Sequence, residues 1–259
     1  MGTISKALKL LNYFSIDQCE IGLSEFQVFS GLNKATVYRH LCELQSNGFI
    51  EQNVDSKKYR LGPSLLRLAT VREQTFPMKV AISIVVDKYS RKLGELVHVS
   101  LFDGAFMSPL YHADLQPHGT RVYFNEGELL PMHATSSGLA MLAFGGADIL
   151  KATLDKPLKK FTGRTLSTRA ALKKQVQQSL ERGFASCSEG FEKEVFSIAT
   201  PVFEGSQKCI GTIAIALPLS RLTNETEANI ITNLKLASTE VSKTLGGSIP
   251  TSIVELWAQ

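Results

Sequence analysis

The stretch SEFQVFSGLNKATVYRHLCELQSNGFIEQNVDSKKYRL, residues 24–61, decides how the chain begins to fold. Ser24 followed three positions later by Gln27 has the form of a capping box, which predicts a helix start at Ser24. That helix carries Phe26 and Phe29 and stops at Gly31, a residue free to take the left-handed conformation of a tight helix corner. Asn33 is the expected cap of a second helix over 34–47, closed by Gly48. Helical spacing puts Val37, Leu41 and Leu44 on one apolar stripe and turns Thr36, Arg39 and Glu43 the other way. Residues 49–52 and 58–61 flank a polar turn, which predicts a hairpin with Lys57 and Lys58 at its tip. A helix-turn-helix followed by a wing results, with one face to pack and one to read. Such a pair is also compatible with an ordinary helix corner in a globular domain.

Charge narrows the choice only locally. Residues 1–62 hold seven basic and six acidic side chains, yet Lys34, Arg39, Lys57, Lys58 and Arg60 gather on the second helix and wing. Double-stranded DNA is the partner that such a face suits. Ile4, Ala7, Leu8, Leu11 and Phe14 recur at helical spacing ahead of the motif and predict a helix packed behind it. The whole chain has 259 residues, 44% of them hydrophobic, and a formal charge of +4, which fits a globular protein rather than a disordered or blanket-basic one. Cys19, Cys42, Cys187 and Cys209 form no C-x-x-C pair, favouring reduced thiols over a disulfide frame or zinc site. With no signal-like leader and an apolar run at 209–219 too short for a membrane span, a cytoplasmic protein without membrane association is expected.

Beyond the wing the texture changes. Residues 1–62 make the DNA-binding unit, 63–77 a linker helix opened by Pro63, 78–247 a larger domain, and 248–259 a tail that includes Trp257. Helices are expected over 78–93, from about Ser136, over about 167–182 and over 224–245. Alternation from Val97 to Leu101, with Asp103-Gly104 as a turn, predicts one hairpin, and 198–203 with 210–217 predicts another. These elements lack a strict βαβ beat, so the fold class is α+β, an antiparallel sheet with flanking helices.

Three separated segments resemble the isocitrate lyase regulator (IclR) family of bacterial transcription factors: YRLGPSLLRLA (59–69), LPMHATSSGLAMLA (130–143), and SIATPVF (197–203) continuing to IGTIAIA (210–216). The resemblance covers nearly the whole chain. It implies a winged helix-turn-helix, a linker helix and a GAF-like effector domain, assembled as a homodimer or homotetramer on palindromic operators. It gives the recognition role to Asn33, Lys34, Thr36, Arg39 and His40, although the helical angle of His40 lies nearer the packed side. It puts an effector pocket at Leu130, Ser136, Ser137, Cys187, Val195, Ser197, Ala214 and Ala216. Amides opening the helix at Ser136 offer fixed donors to a carboxylate. Ala214 and Ala216 stand where members that sense small oxo-acids carry Ser, which points to an organic acid with an apolar portion.

Two other classes remain open at this point. An effector-independent DNA-binding protein whose second domain only oligomerises fits the same segments. An enzyme is disfavoured by the lack of G-x-S-x-G, H-E-x-x-H, S-x-x-K, G-x-G-x-x-G and phosphate-loop patterns, so no catalytic residue is nominated. His98, His112, His118 and His133 lack metal-ligand spacing, and neither a metal nor a cofactor is expected.

Overall fold

A computed structural model describes residues 2–15, 18–75, 77–115 and 118–258. Contacts divide the chain into two compact units, residues 1–77 and 78–259. In the first, α1 (Thr3–Leu11), α2 (Leu23–Ser30) and α3 (Lys34–Ser46) lead into β1 (Ile50–Gln52) and β2 (Tyr59–Leu61), followed by α4 (Pro63–Thr75). Leu10, Ile21, Phe26, Val37, Leu41, Leu44, Ile50 and Tyr59 form its core. The core draws three side chains from α3 and one each from α1, α2, β1 and β2, so the three helices and the wing fold as one body.

Local chemistry sets the helix ends. Gly31 takes φ 66° at the corner between α2 and α3, a value that costs other residues a Cβ clash. Asn33 caps α3 as expected, its Oδ1 accepting the Thr36 amide at 2.8 Å. The capping box at Ser24 and Gln27 is not formed. The helix starts one residue earlier, with Gly22 as cap and Glu25 accepting the Gly22 amide at 2.7 Å. A carboxylate accepts more strongly than an amide oxygen, and near the positive helix end it gains further from the dipole.

The second unit contains α5 (Met78–Leu93), β3 (Leu96–Phe102), β4 (Met107–Ala113), α6 (Ser136–Phe144), α7 (Ala147–Leu154) and α8 (Arg169–Arg182). It continues through β5 (Ala185–Ser188), β6 (Val195–Phe203), β7 (Cys209–Pro218), α9 (Asn224–Thr244) and α10 (Thr251–Trp257). The strands pair antiparallel in the order β4-β3-β7-β6-β5. Strand alternation gives β7 two different faces. Ile213, Ile215 and Leu217 pack with the residues of α5 and α9 in one core. Ala214 belongs to the other, with α6, α8 and α10.

The small residues on that second face allow α6 to lie close. Residues from 248 on, set apart by sequence as a tail, also join this core: Ile249 and Ile253 are buried there. The Trp257 indole N–H donates to the Gly183 carbonyl at 2.8 Å, at the end of α8. None of the four cysteines is in a disulfide. Among the described residues, no helix is long and apolar enough to cross a membrane.

Candidate functional site

In the first unit, α3 presents Lys34, Tyr38, Arg39 and Glu43 as exposed side chains, with Thr36 partly covered. Lys34 and Arg39 make no ion pair with any described residue. Their charge is therefore not neutralised by any ion pair among the described residues. Asn33 is exposed, but its carbonyl oxygen is occupied by the cap. The exposure that a reading role for His40 needs is corrected by the structure: the residue is only 2% exposed, on the side of Val37 and Leu41, and its Nε2 has no hydrogen-bond partner among the described residues. Burial, with Arg39 and Lys6 nearby, lowers its pKa, and the ring packs on the covered side of α3 rather than its exposed one. Tyr38, which the sequence reading passed over, takes the exposed position instead.

The wing is less uniformly basic than its composition implies. Lys57 is exposed at the turn with φ 57°, and Asn53 Oδ1 holds that turn by accepting the Asp55 and Ser56 amides. Lys58 lies 3.5 Å from Glu25, and Arg60 is 2.6 Å from Glu51. Both pairs are largely exposed and each is worth about 0–1 kcal/mol, so a phosphate competes for either cation at little cost.

In the second unit the strand register builds a floor. Leu96 pairs with Ala216, Ala216 with Ser197, and Ser197 with Cys187, giving one row of side chains across β3, β7, β6 and β5. This row lines a cavity with about 590 Å³ of empty space, part of it open to solvent. The next row on the same face is His98, Ala214, Ala199 and Ala185. Three of its members are alanines buried in the core beneath α6. That explains the second correction: Ala214 is fully buried and lies outside the cavity, while Ala216 and the other six nominated residues line it.

The start of α6 supplies the polar edge. Thr135 caps the helix, its Oγ1 accepting the Gly138 amide at 3.0 Å. Gly138 is required by contact rather than by φ, because a Cβ there would stand 2.4 Å from the Met132 backbone. Ser136 and Ser137 line the cavity, and the Ser137 hydroxyl is buried with no hydrogen-bond partner among the described residues.

Residues that sequence reasoning did not nominate complete the wall: Tyr123, Phe124, Asn125 and Glu128 from the 118–130 loop, Phe191 and Glu192 after β5, and His98 from β3. His98 stacks on Phe124 with centroids 4.5 Å apart, and its Nδ1 is 3.1 Å from Ser100 Oγ. Burial, with His112 adding to it, pushes the His98 pKa down to about 3. Relative to 6.5 when unfolded, the unfolded chain then binds the extra proton between these values, and stability rises with pH across that window. The unit carrying His98 is expected to lose stability as pH falls from about 6.5 towards 3, and His98→Gln should flatten that slope in a urea titration at each pH.

Cys187, the one thiol in the floor, donates to the Ala134 carbonyl at 3.1 Å. Burial pushes its thiol up to about 11, so it is a poor source of thiolate. Among the described residues no group of three or more His, Cys, Asp or Glu is arranged to hold a metal.

Comparison with known proteins agrees with both units. The profile of the IclR helix-turn-helix domain matches residues 3–54, and that of the bacterial transcriptional regulator IclR C-terminal matches residues 74–243. The HTH-type transcriptional regulator XynR of Escherichia coli is 28% identical over 246 residues, covering 94% of this chain and 97% of that protein. The transcriptional repressor IclR of the same species is 24% identical, covering 95% and 90%. Among solved structures, a candidate IclR transcriptional regulator from Silicibacter sp. TM1040 superposes with a TM-score of 0.88 at 40% identity, covering 96% of this chain and 98% of that one. An IclR homologue from Microbacterium hydrocarbonoxydans, complexed with 4-hydroxybenzoate, shares the fold with a TM-score of 0.70 at 21% identity, covering 95% and 99%. An exposed helix-turn-helix reading face, a five-stranded sensor-type sheet and two profile matches spanning most of the sequence thus agree: the chain belongs to the IclR family of DNA-binding bacterial transcriptional regulators.

Proposed function

We propose that this regulator is a cytoplasmic repressor whose grip on operator DNA is set by a small organic molecule bound in the second unit. The observation that carries the reading is the cavity floored by Leu96, Ala216, Ser197 and Cys187, in the same chain as a helix whose Lys34 and Arg39 make no ion pair among the described residues. On the DNA side Lys34, Thr36, Arg39 and Lys57 are the contacts, with Lys58 recruited from its weak surface pair and Asn33 acting chiefly as the cap. On the effector side the wall formed by Leu130, Ser136, Ser137, Cys187, Val195, Ser197 and Ala216 receives a carboxylate with an apolar portion. The 4-hydroxybenzoate bound by the Microbacterium homologue is an acid of that kind. Several relatives bear the name of repressor, which supports the direction of control. We assign no catalytic role: the one thiol in the cavity floor is protonated and engaged with a carbonyl.

We read the working unit as a homodimer or homotetramer. Leu66, Leu68 and Val71 of α4 are 74%, 43% and 49% exposed, and α4 buries none of its residues, which supports a second copy as their cover. The test uses the intact protein and the DNA upstream of its own gene. Tight binding to that DNA over a scrambled fragment, changed by a member of a metabolite panel, is the expected result. Equal affinity for both fragments would overturn the operator reading. Specific binding that no metabolite alters would reduce the second unit to an oligomerisation module.

A further inference from the structure

One wall of the cavity is a segment held differently at its two ends. Val122, Tyr123, Phe124 and Asn125 line the cavity from a stretch without regular secondary structure. Where that stretch begins, Arg221 Nη1 donates to the Thr120 carbonyl at 2.8 Å, and the same guanidinium forks onto the buried Glu95 carboxylate at 2.7 and 2.5 Å. Glu95 directly precedes Leu96 of the floor, so this end is fastened to the sheet by a two-pronged, largely desolvated pair. In the middle, the Phe124 ring stands between two imidazoles, its centroid 4.5 Å from that of His98 and 5.0 Å from that of His112. His98 lines the cavity, whereas His112 and Glu126 lie outside it. At the far end, His112 Nδ1 donates to one Glu126 oxygen at 2.8 Å, and the other oxygen is 3.9 Å from Lys79 Nζ. Lys79 and Glu126 are both nearly half exposed, so water competes for this pair and a small displacement breaks it. Lys79 lies in the first turn of α5, two residues after Pro77, where the chain enters the second unit.

A guest that presses on Phe124 meets a firm end at Arg221 and a yielding end at Glu126, so the displacement passes to the second. Each member of the set touches the next, from the cavity through Phe124 and His112 to Glu126 and Lys79. Resting on the sensor reading above, we infer that Glu126 is the residue that passes cavity occupancy to the start of α5, by gaining or losing Lys79 as Phe124 moves. His112 is the positioning residue of this relay. An ionised carboxylate only accepts, so the His112 proton sits on Nδ1, and that bond fixes the ring against which Phe124 packs. A single half-exposed ion pair limits the transmitted effect to about five-fold in operator affinity.

The experiment is a double-mutant cycle on the full chain without any ligand, in which Phe124→Ala stands in for a displaced wall and Phe124→Leu replaces it if the alanine protein does not fold. The readouts are affinity for the DNA upstream of the protein's own gene and amide hydrogen exchange across residues 78–86. Phe124→Ala should change operator affinity by about three- to five-fold and speed exchange at the start of α5. In a Glu126→Gln background, where the His112 bond can persist but the charge facing Lys79 is gone, the same change should alter both readouts by less than about 1.5-fold. Lys79→Gln should reproduce the Glu126→Gln result, and Lys79→Arg should restore the coupling, which a merely structural role would not require. Effects that simply add would overturn the inference and leave the sensor reading standing. So would a folded Phe124→Ala protein that is unchanged in either readout, or a Lys79→Gln protein that couples like the wild type. If the upstream DNA is bound no better than a scrambled fragment, the operator reading fails, and exchange across residues 78–86 alone decides the inference.

Discussion

Gly138→Ala should cripple the second unit. A Cβ at this position meets the Met132 Cα and carbonyl oxygen at 2.4 Å, and these are backbone atoms that cannot swing aside as a side-chain end can. Either α6 shifts along the sheet or the 130–135 segment moves away from it. Overpacking of this kind costs about 1–3 kcal/mol, and a clash with backbone belongs at the upper end. For a unit of this size that corresponds to a fall of roughly 6–12 °C in melting temperature. Function should suffer more than stability. The same displacement moves the Ser136 and Ser137 amides and the Ser137 hydroxyl, so response to any compound that binds the wild-type cavity should be lost even where the protein stays folded. Gly163→Ala is the control, because nothing lies within 4 Å of a Cβ built there and its φ is not positive. A surface change of that type should stay within about 0.5 kcal/mol. If both variants melt alike and both still respond to ligand, the close packing of α6 is not what shapes the cavity.

The parts of this arrangement that sequence reveals are those encoded over a few residues. Asn33 as a cap, Gly31 as a left-handed corner and the alternation from Val97 to Leu101 that predicts a strand are local signals, and the structure contains the cap, the corner and β3. Ile253 and Trp257 are four apart, which on a helix places them on one face, so the docking of α10 was also available from spacing. His40 is a case where two signals conflicted. Its position beside Val37, Leu41 and Leu44 indicated burial, while family likeness suggested reading, and the packing of α3 obeys the spacing.

The cavity wall was less accessible to sequence reasoning. Ala214 and Ala216 are chemically identical and two residues apart on one strand face. Only the placement of α6 over the row of His98, Ala214, Ala199 and Ala185 separates them. His98, Glu128 and Glu192 come from three segments widely spaced in the chain, two of them loops without periodic pattern, and no window of sequence contains more than one of them. The charge of the site therefore emerges from register and loop path together.

Arg39→Ala should weaken operator binding by about 1–3 kcal/mol, roughly 5- to 150-fold, and the pattern of the loss identifies what the guanidinium touches. Arg39 is exposed on α3 and has no ion pair among the described residues, so removing it frees no buried carboxylate and should barely affect folding. If Arg39 forks onto a guanine edge, the variant loses preference at one operator position while its affinity for scrambled DNA changes little. If it holds a phosphate, affinity for every sequence falls together and the slope of log K against log salt shrinks by about 0.9. Lys57→Ala provides the comparison. At the tip of the wing, with its backbone in the left-handed region and no ion pair among the described residues, it is placed to touch a phosphate and should show the second pattern. Arg60 should matter less, because Glu51 already stands 2.6 Å from it. Binding titrations at several salt concentrations, on the operator and on fragments changed at single positions, separate these outcomes. An Arg39→Ala protein that binds the operator as tightly as the wild type at every salt concentration would remove α3 from the reading role.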